Sequence, residues 1–476
     1  MMSATPEAYA DSPLREAALL LLGHGSTLNA DSSAPTYQHA EELRRRGLFT
    51  EVQVGFWKEE PNFRQALRQT RAAQVYVVAN FISSGYFTEQ IIPRELGLAG
   101  PVTRIGAQQV GYCAPVGLHS AMTGALLRKA AGVVAQSGVA IAEPAKTACL
   151  FICGHGTSLN DNSTKIIHER VEEIRARGLF ADCQGVLMEQ KPFVKDWRTL
   201  TNCPDVIVVP FFISDGLHSY EDIPVLLGLT HNVREAAFTN PHVEGTRRLW
   251  YATAIGTAPF VADLVLAQVE EFRREHGPEM SVGAGSACPI PLPIDAPLPW
   301  TMGEIVIGAG YELRHRDDAG RADLRELTSL AEIRELIRLD EAGNFRPLRA
   351  APNLRRGWFH RAKDEAGLRE ALDYFYPAGI ANAALWRDGH LTETPWKKTA
   401  ERQTGRFHIV RELAMPAVRG LVDEVCKRGC HKRRLWSPAG QEVTPEANEI
   451  PLICPEACNY FVGKAREKMK GPETEE

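Results

Sequence analysis

Residues 131 positions apart tend to be identical across the first half of this chain. The matched pairs are His24 and His155, Asn29 and Asn160, Gly47 and Gly178, Pro61 and Pro192, Phe81 and Phe212, Gly85 and Gly216, and Pro93 and Pro224. The offset is constant from one end of this set to the other, so no net insertion separates the copies. The stretch EELRRRGLF at 41–49 is answered by EEIRARGLF at 172–180. A repeat this long is a duplicated domain rather than a solenoid unit.

Each copy reads as β-α-β-α-β. ALLLL (18–22) and ACLFIC (148–153) are short apolar runs ending at glycine, as buried parallel strands do. In the second copy Asn-Asp-Asn-Ser (160–163) offers N-cap chemistry to a helix with apolar Ile167, Val171 and Ile174, closed at Gly178. QVYVVANFI (74–82) and DVIVVPFFI (205–213) are second buried strands. Strands alternating with helices imply a doubly wound parallel sheet in each copy. Ligands of such sheets gather outside the carboxyl ends of the strands.

Charge and cysteine content narrow the function. Fifty-four Lys and Arg against 59 Asp and Glu leave a formal net charge of −5, which argues against nucleic-acid or anionic-membrane partners. The start of the chain has no cationic segment, and its first apolar run is too short to span a membrane or act as a signal. A cytoplasmic location is expected, where ten cysteines suggest ligands or core residues before disulfides.

The carboxyl edge of the second copy collects metal-binding chemistry. GHGTSLN (154–160) carries His155, LMEQKP (187–192) carries Glu189, and FFISDGLHSYEDIP (211–224) carries His218, with Glu221 and Asp222 as supporting or helix-capping candidates. Two imidazoles and a carboxylate suit a divalent Co, Fe, Ni or Zn ion. The first copy keeps His24, but Lys58 stands in the position of Glu189 and Phe87 in that of His218. One histidine without a carboxylate is a poor metal site, so the complete set is expected in the second copy.

These three motifs together resemble those of the class II tetrapyrrole chelatases, the sirohydrochlorin cobalto- and ferrochelatases. The resemblance covers roughly residues 17–270. It implies two tandem flavodoxin-like lobes and a metal-free tetrapyrrole that receives Co²⁺ or Fe²⁺. It also implies that His155, His218 and Glu189 are the catalytic and metal-handling residues. Sirohydrochlorin carries eight carboxylates, for which Lys165, Lys191, Lys195, Arg64 and Lys58 are available cations.

The second half differs. GPEMSVGAGSACPIPLPIDAPLPW, beginning at Gly277, reads as a proline-rich linker or strap. Beyond it a region to about residue 400 reads as α+β, its Trp358, His360, Trp386, His390 and Trp396 more simply core than pocket. CKRGC (426–430) and CPEAC (454–458) then place four cysteines in two Cys-x-x-x-Cys pairs. A [4Fe–4S] cluster on Cys426, Cys430, Cys454 and Cys458 is the favoured reading, with zinc the alternative. Lys427, Arg428, Lys432, Arg433 and Arg434 would offset its charge. Cys149 and Cys153 read as core residues, and Cys288 stays open as a further thiol.

The expected organisation is therefore a degenerate lobe (1–140), a complete lobe (141–276), a linker (277–300), an α+β domain (301–400) and a cluster domain (401–476). The expected activity is metal insertion into sirohydrochlorin, cobalt ahead of iron, with an electron donor for the cluster as a further partner. The competing readings are a tetrapyrrole or metal carrier or sensor, and a redox enzyme that passes cluster electrons to a bound macrocycle.

Overall fold

The computed structural model describes residues 13–26, 29–156, 162–216, 218–230, 238–281, 292–339, 345, 353–428, 430–436 and 440–470. The chain divides into two compact units. One holds Met1–Gly25, Asn29–Val54 and Ala72–Ala287; the other holds Ser26–Leu28, Gly55–Arg71 and Cys288–Glu476.

The first unit contains the two copies. Strands β1 (Ala17–Gly23), β2 (Glu51–Phe56), β3 (Gln74–Ala79), β4 (Val102–Ile105) and β5 (Gln108–Cys113) form a sheet ordered β2-β1-β3-β5-β4. Strands β6 (Ala148–Gly154), β7 (Asp182–Leu187), β8 (Asp205–Pro210), β9 (His242–Glu244) and β10 (Arg247–Tyr251) repeat it as β7-β6-β8-β10-β9. β3 pairs with β1 and β5 in parallel, and β8 with β6 and β10. Every residue of β1 and β6 is buried, which is why both read as unbroken apolar runs. Cys149 and Cys153 are fully buried in β6, as core residues.

Each sheet also ends in an antiparallel edge hairpin, β4–β5 and β9–β10, which the alternation of strands and helices did not announce. The signal for it is local: Gly106 and Gly245, at φ +60° and +62°, open the two-residue turns.

The helices follow their apolar spacing. Ala34–Arg46 buries Tyr37, Ala40 and Leu43 and ends at Gly47 in the left-handed conformation. Asn162–Arg175 buries Ile167, Val171 and Ile174, while its proposed caps Asn160 and Asp161 lie outside the described residues. The helix Val261–Ser281 continues through Pro278 into the stretch expected to be linker, with Met280 buried. Residues 282–291, including Cys288, lie outside the described residues.

His39 ties the copies together, its Nε2 donating to the Gly256 carbonyl at 2.7 Å with the ring 1% exposed. Burial drives its pKa down to about 4 against the bond to Gly256. A buried neutral histidine stabilises the fold fully above its unfolded pKa near 6.5, and that contribution is lost as pH falls from there towards 4. We expect the first unit to lose about 3 kcal/mol over that window from this residue. Thermal unfolding from pH 7.5 to 4.5 checks it: the slope should flatten in His39→Gln, and an unchanged slope would remove His39 from the account.

The second unit has a sheet of β11 (Trp300–Met302), β12 (Ile305–Gly308), β13 (Glu312–His315), β14 (Arg325–Glu326) and β15 (Trp358–Arg361), ordered β11-β12-β13-β15-β14. Its pairs are antiparallel except β14–β15. Trp358 is buried and stacks on Phe375 at 4.8 Å, the His360 ring bonds to the Leu327 carbonyl and Trp396 is buried, whereas Trp386 is half-buried and His390 exposed. A second core packs Trp396 and Trp436 edge-on to Phe461, with Cys426, Cys454 and Cys458 at its margin. Short strands β16 (Arg433–Arg434) and β17 (Ile453–Cys454) pair in parallel beside it.

Candidate metal-handling edge and cysteine centre

The Gly-His-Gly turns have a geometric explanation. Gly25 and Gly156 adopt φ +66° and +72°, a left-handed conformation that turns each carbonyl back onto the preceding ring. The Nδ1 of His24 thereby donates to the Gly25 carbonyl at 2.8 Å, and that of His155 to the Gly156 carbonyl at 3.1 Å. Since a carbonyl only accepts, each neutral ring carries its proton on Nδ1 and its lone pair on Nε2. Gly154 serves packing instead: a Cβ there would meet Ile167 Cδ1 at 2.3 Å.

In the second copy the loop after β7 folds back onto this turn, the Met188 and Glu189 amides both donating to the His155 carbonyl. This holds Glu189 Oε2 3.6 Å from His155 Nδ1, with both side chains open to solvent. The third member, His218, opens a single π-type turn at His218–Asp222; its side chain lies outside the described ones. Asp222 occupies the N-cap of Ile223–Leu227 without a side-chain capping bond, and Glu221 is half-buried. Among the described residues no group of three or more His, Cys, Asp or Glu side chains closes to single-ion distance.

The first copy repeats the backbone but not the chemistry. Its π-type turn, Phe87–Ile91, stands at the matching position. Phe87 packs edge-on against His24 at 4.9 Å, and Phe81 and Tyr86 complete an aromatic group around it. An apolar wall stands where the second copy has His218.

Sequence reasoning passed over Asp215 in the loop after β8. It is buried, accepts from the Ala254 amide at 2.7 Å, and has its pKa raised by burial. The run SDGLH carried it, but its role in fixing the loop needed the three-dimensional fold.

The four cysteines of the second unit fit an iron–sulfur cluster. Backbone N–H groups are directed at two of the sulfurs, the Lys432 amide to Cys430 at 3.4 Å and the Phe461 amide to Cys458 at 3.5 Å, and the positive charges of Arg434 and Lys432 act on Cys426 and Cys454. Such donors stabilise thiolate sulfur. Without iron, burial pushes the Cys426 thiol up to about 12 and Cys454 to about 11, so the metal must supply the charge that ionises them.

Of the five cations expected near these sulfurs, Lys432 and Arg434 are buried in this region, whereas Lys427 pairs with Asp423 and Arg433 with Glu449. Arg64 also has another role than the one offered for it. Within CPEAC, the Glu456 carboxylate takes Arg64 at 2.5 Å, Arg68 at 3.1 Å and Arg402 at 3.7 Å, at 6% exposure. Burial would raise its pKa, but Arg64 and Arg68 outweigh that and hold it below the usual range. This knot explains why Gly55–Arg71 belongs to the second unit.

Two doubly wound lobes with a histidine and a carboxylate at one strand edge, joined to a four-cysteine centre, define a metal-handling α/β protein. Comparison with known proteins makes the class specific. The CbiX family matches residues 18–132 and 149–272, a DR2241 stabilising domain matches 299–387, and a 4Fe-4S iron-sulfur cluster binding domain matches 388–467. A probable sirohydrochlorin cobaltochelatase of Halobacterium salinarum is 41% identical over 271 residues, covering 53% of this chain and 91% of the relative. A sirohydrochlorin cobaltochelatase of Methanocaldococcus jannaschii is 38% identical over 85 residues, covering 17% of this chain and 59% of that protein. The crystal structure of DR2241 from Deinococcus radiodurans, described as a multi-domain protein with structural similarity to chelatases, superposes with a TM-score of 0.79 at 29% identity. That match covers 95% of this chain and 99% of the other. The chain belongs to the CbiX family of chelatases and carries a 4Fe–4S binding domain towards its C-terminus.

Among the described residues no helix is long and apolar enough to cross a membrane.

Proposed function

We propose that this chelatase inserts a divalent metal ion into sirohydrochlorin, cobalt ahead of iron, from the carboxyl edge of its second lobe. The observation that carries this is the 3.6 Å pairing of His155 with Glu189, against a first lobe where His24 has the ring of Phe87 edge-on to it and Lys58 in the sequence position of the carboxylate. Insertion needs an incoming cation to shed water and two pyrrole N–H protons to leave. His155 presents the Nε2 lone pair for one of these tasks, as proton acceptor or passing ligand. The Glu189 carboxylate draws the cation to the same edge, and His218 from the following loop completes the set. Glu221 and Asp222 support the turn that carries His218.

The [4Fe–4S] cluster would be held by Cys426, Cys430, Cys454 and Cys458, and when bound it supplies one-electron chemistry. The amide donors on Cys430 and Cys458 and the buried Lys432 and Arg434 would offset its negative charge. Its role, in our reading, is a redox link served by a separate electron donor in the reducing cytoplasm. Support for cobalt comes from the two relatives above, both described as cobaltochelatases.

The test is anaerobic insertion into sirohydrochlorin, followed by absorbance, with equal Co²⁺ or Fe²⁺. Cobalt should enter faster. A faster iron reaction would reverse the metal preference. Binding of the macrocycle without insertion of either metal would replace the enzyme by a carrier.

A further inference from the structure

Lys58 replaces the carboxylate of the second lobe two residues beyond the end of β2, at the edge where such sheets receive ligands. Within the second unit its Nζ lies 4.0 Å from the Phe407 ring centroid and 5.4 Å from that of Trp57. The Arg466 and Arg406 guanidinium carbons lie 5.0 and 5.7 Å from the same Phe407 centroid. Three cations thus surround one buried ring. Among the described residues none of the three side chains makes an ion pair or a hydrogen bond, and Arg466 Nε is buried without a partner.

Cation–π contact with one phenyl ring offsets only part of the repulsion among three positive groups. A fixed cluster of like charge with apolar walls is costly unless an anion occupies it. Burial, then the charges of Arg406 and Arg466, push the Lys58 ammonium down to about 8, so the repulsion is felt at Lys58 itself. Contrast Arg64, Arg68 and Arg402 in the same unit, whose charges meet Glu456. The protein neutralises one cationic group internally and leaves the other unmatched.

We propose that Lys58, Arg406 and Arg466 form a carboxylate-binding site whose ligand is the side-chain carboxylates of the tetrapyrrole. The site deepens the reading under Proposed function and rests on it for the identity of the macrocycle.

The experiment titrates metal-free sirohydrochlorin into the full-length holoprotein at two ionic strengths, comparing the parent with a Lys58→Met, Arg406→Met, Arg466→Met triple variant. Cluster absorbance and circular dichroism check the fold. Loss of three charge-assisted contacts should weaken binding by about 10-fold or more and make it less salt-dependent. Equal affinity and equal salt dependence would overturn the site. Arg406→Gln, at an exposed position, gives a smaller loss in the same direction if the triple variant does not fold, and an unchanged affinity there counts against the proposal. If the parent binds no sirohydrochlorin, the substrate reading fails. Calorimetry with mellitate, a flat hexacarboxylate, then decides the site alone: heat lost in the variant sustains it, and equal heat removes it.

Discussion

Metal insertion into sirohydrochlorin should fall by about 10²–10⁴-fold in His155→Ala, and far less in His24→Ala. The two histidines share a turn, a tautomer and a carbonyl partner, so the contrast isolates what surrounds them. His155 has Glu189 at 3.6 Å and a π-type turn opening on His218; His24 has Phe87 against its ring. Glu189→Gln keeps the shape and removes the charge, and should reduce insertion by a smaller factor, most visibly at low metal concentration. The measurement is the initial rate under anaerobic conditions at saturating macrocycle. A loss at His24 equal to that at His155 would move the chemistry to the first lobe or share it between both.

Glu456→Ala destabilises the second unit by about 3–5 kcal/mol, because three guanidinium groups lose the one carboxylate they converge on. Glu456 lies between two of the four cysteines, and the Cys454 thiol bonds to its carbonyl at 2.9 Å. The same change should therefore lower the amount of cluster retained on purification. Denaturant unfolding followed by cluster absorbance and by far-ultraviolet circular dichroism reads both effects. Glu456→Gln retains an acceptor oxygen and should fall between alanine and the parent. A variant with parental stability and full cluster content would show that the arginines are solvated rather than dependent on this carboxylate.

Much of the first unit was legible because its signals are local. The runs 18–22 and 148–153 lie within strands buried along their whole length, and the constant offset puts Glu189 and His218 opposite Lys58 and Phe87. The four cysteines announced themselves by spacing. What spacing could not convey was their support: the backbone amides of Lys432 and Phe461 reach two of the sulfurs, and the buried charges of Lys432 and Arg434 come near them, only after the second core has packed. Arg64 looked like a cation for the substrate because an unpaired arginine in a sequence carries no mark of its partner.

By itself, the sequence determined the duplication, the buried strands that open each copy, the asymmetry of the two strand edges and the four-cysteine motif. Each of these is written in periodicity or in residues held at fixed separations. Only the tertiary structure decided that Gly55–Arg71 leaves its own lobe's unit for the other, that Glu456 gathers Arg64, Arg68 and Arg402, and that Lys58 stands with Arg406 and Arg466 around Phe407. The physical reason is the reach of the forces. Strand and helix patterns are set by neighbours a few residues away. A charge removed from water must instead find its counter-charge wherever packing brings one, and Arg68 finds Glu456 388 residues along the chain.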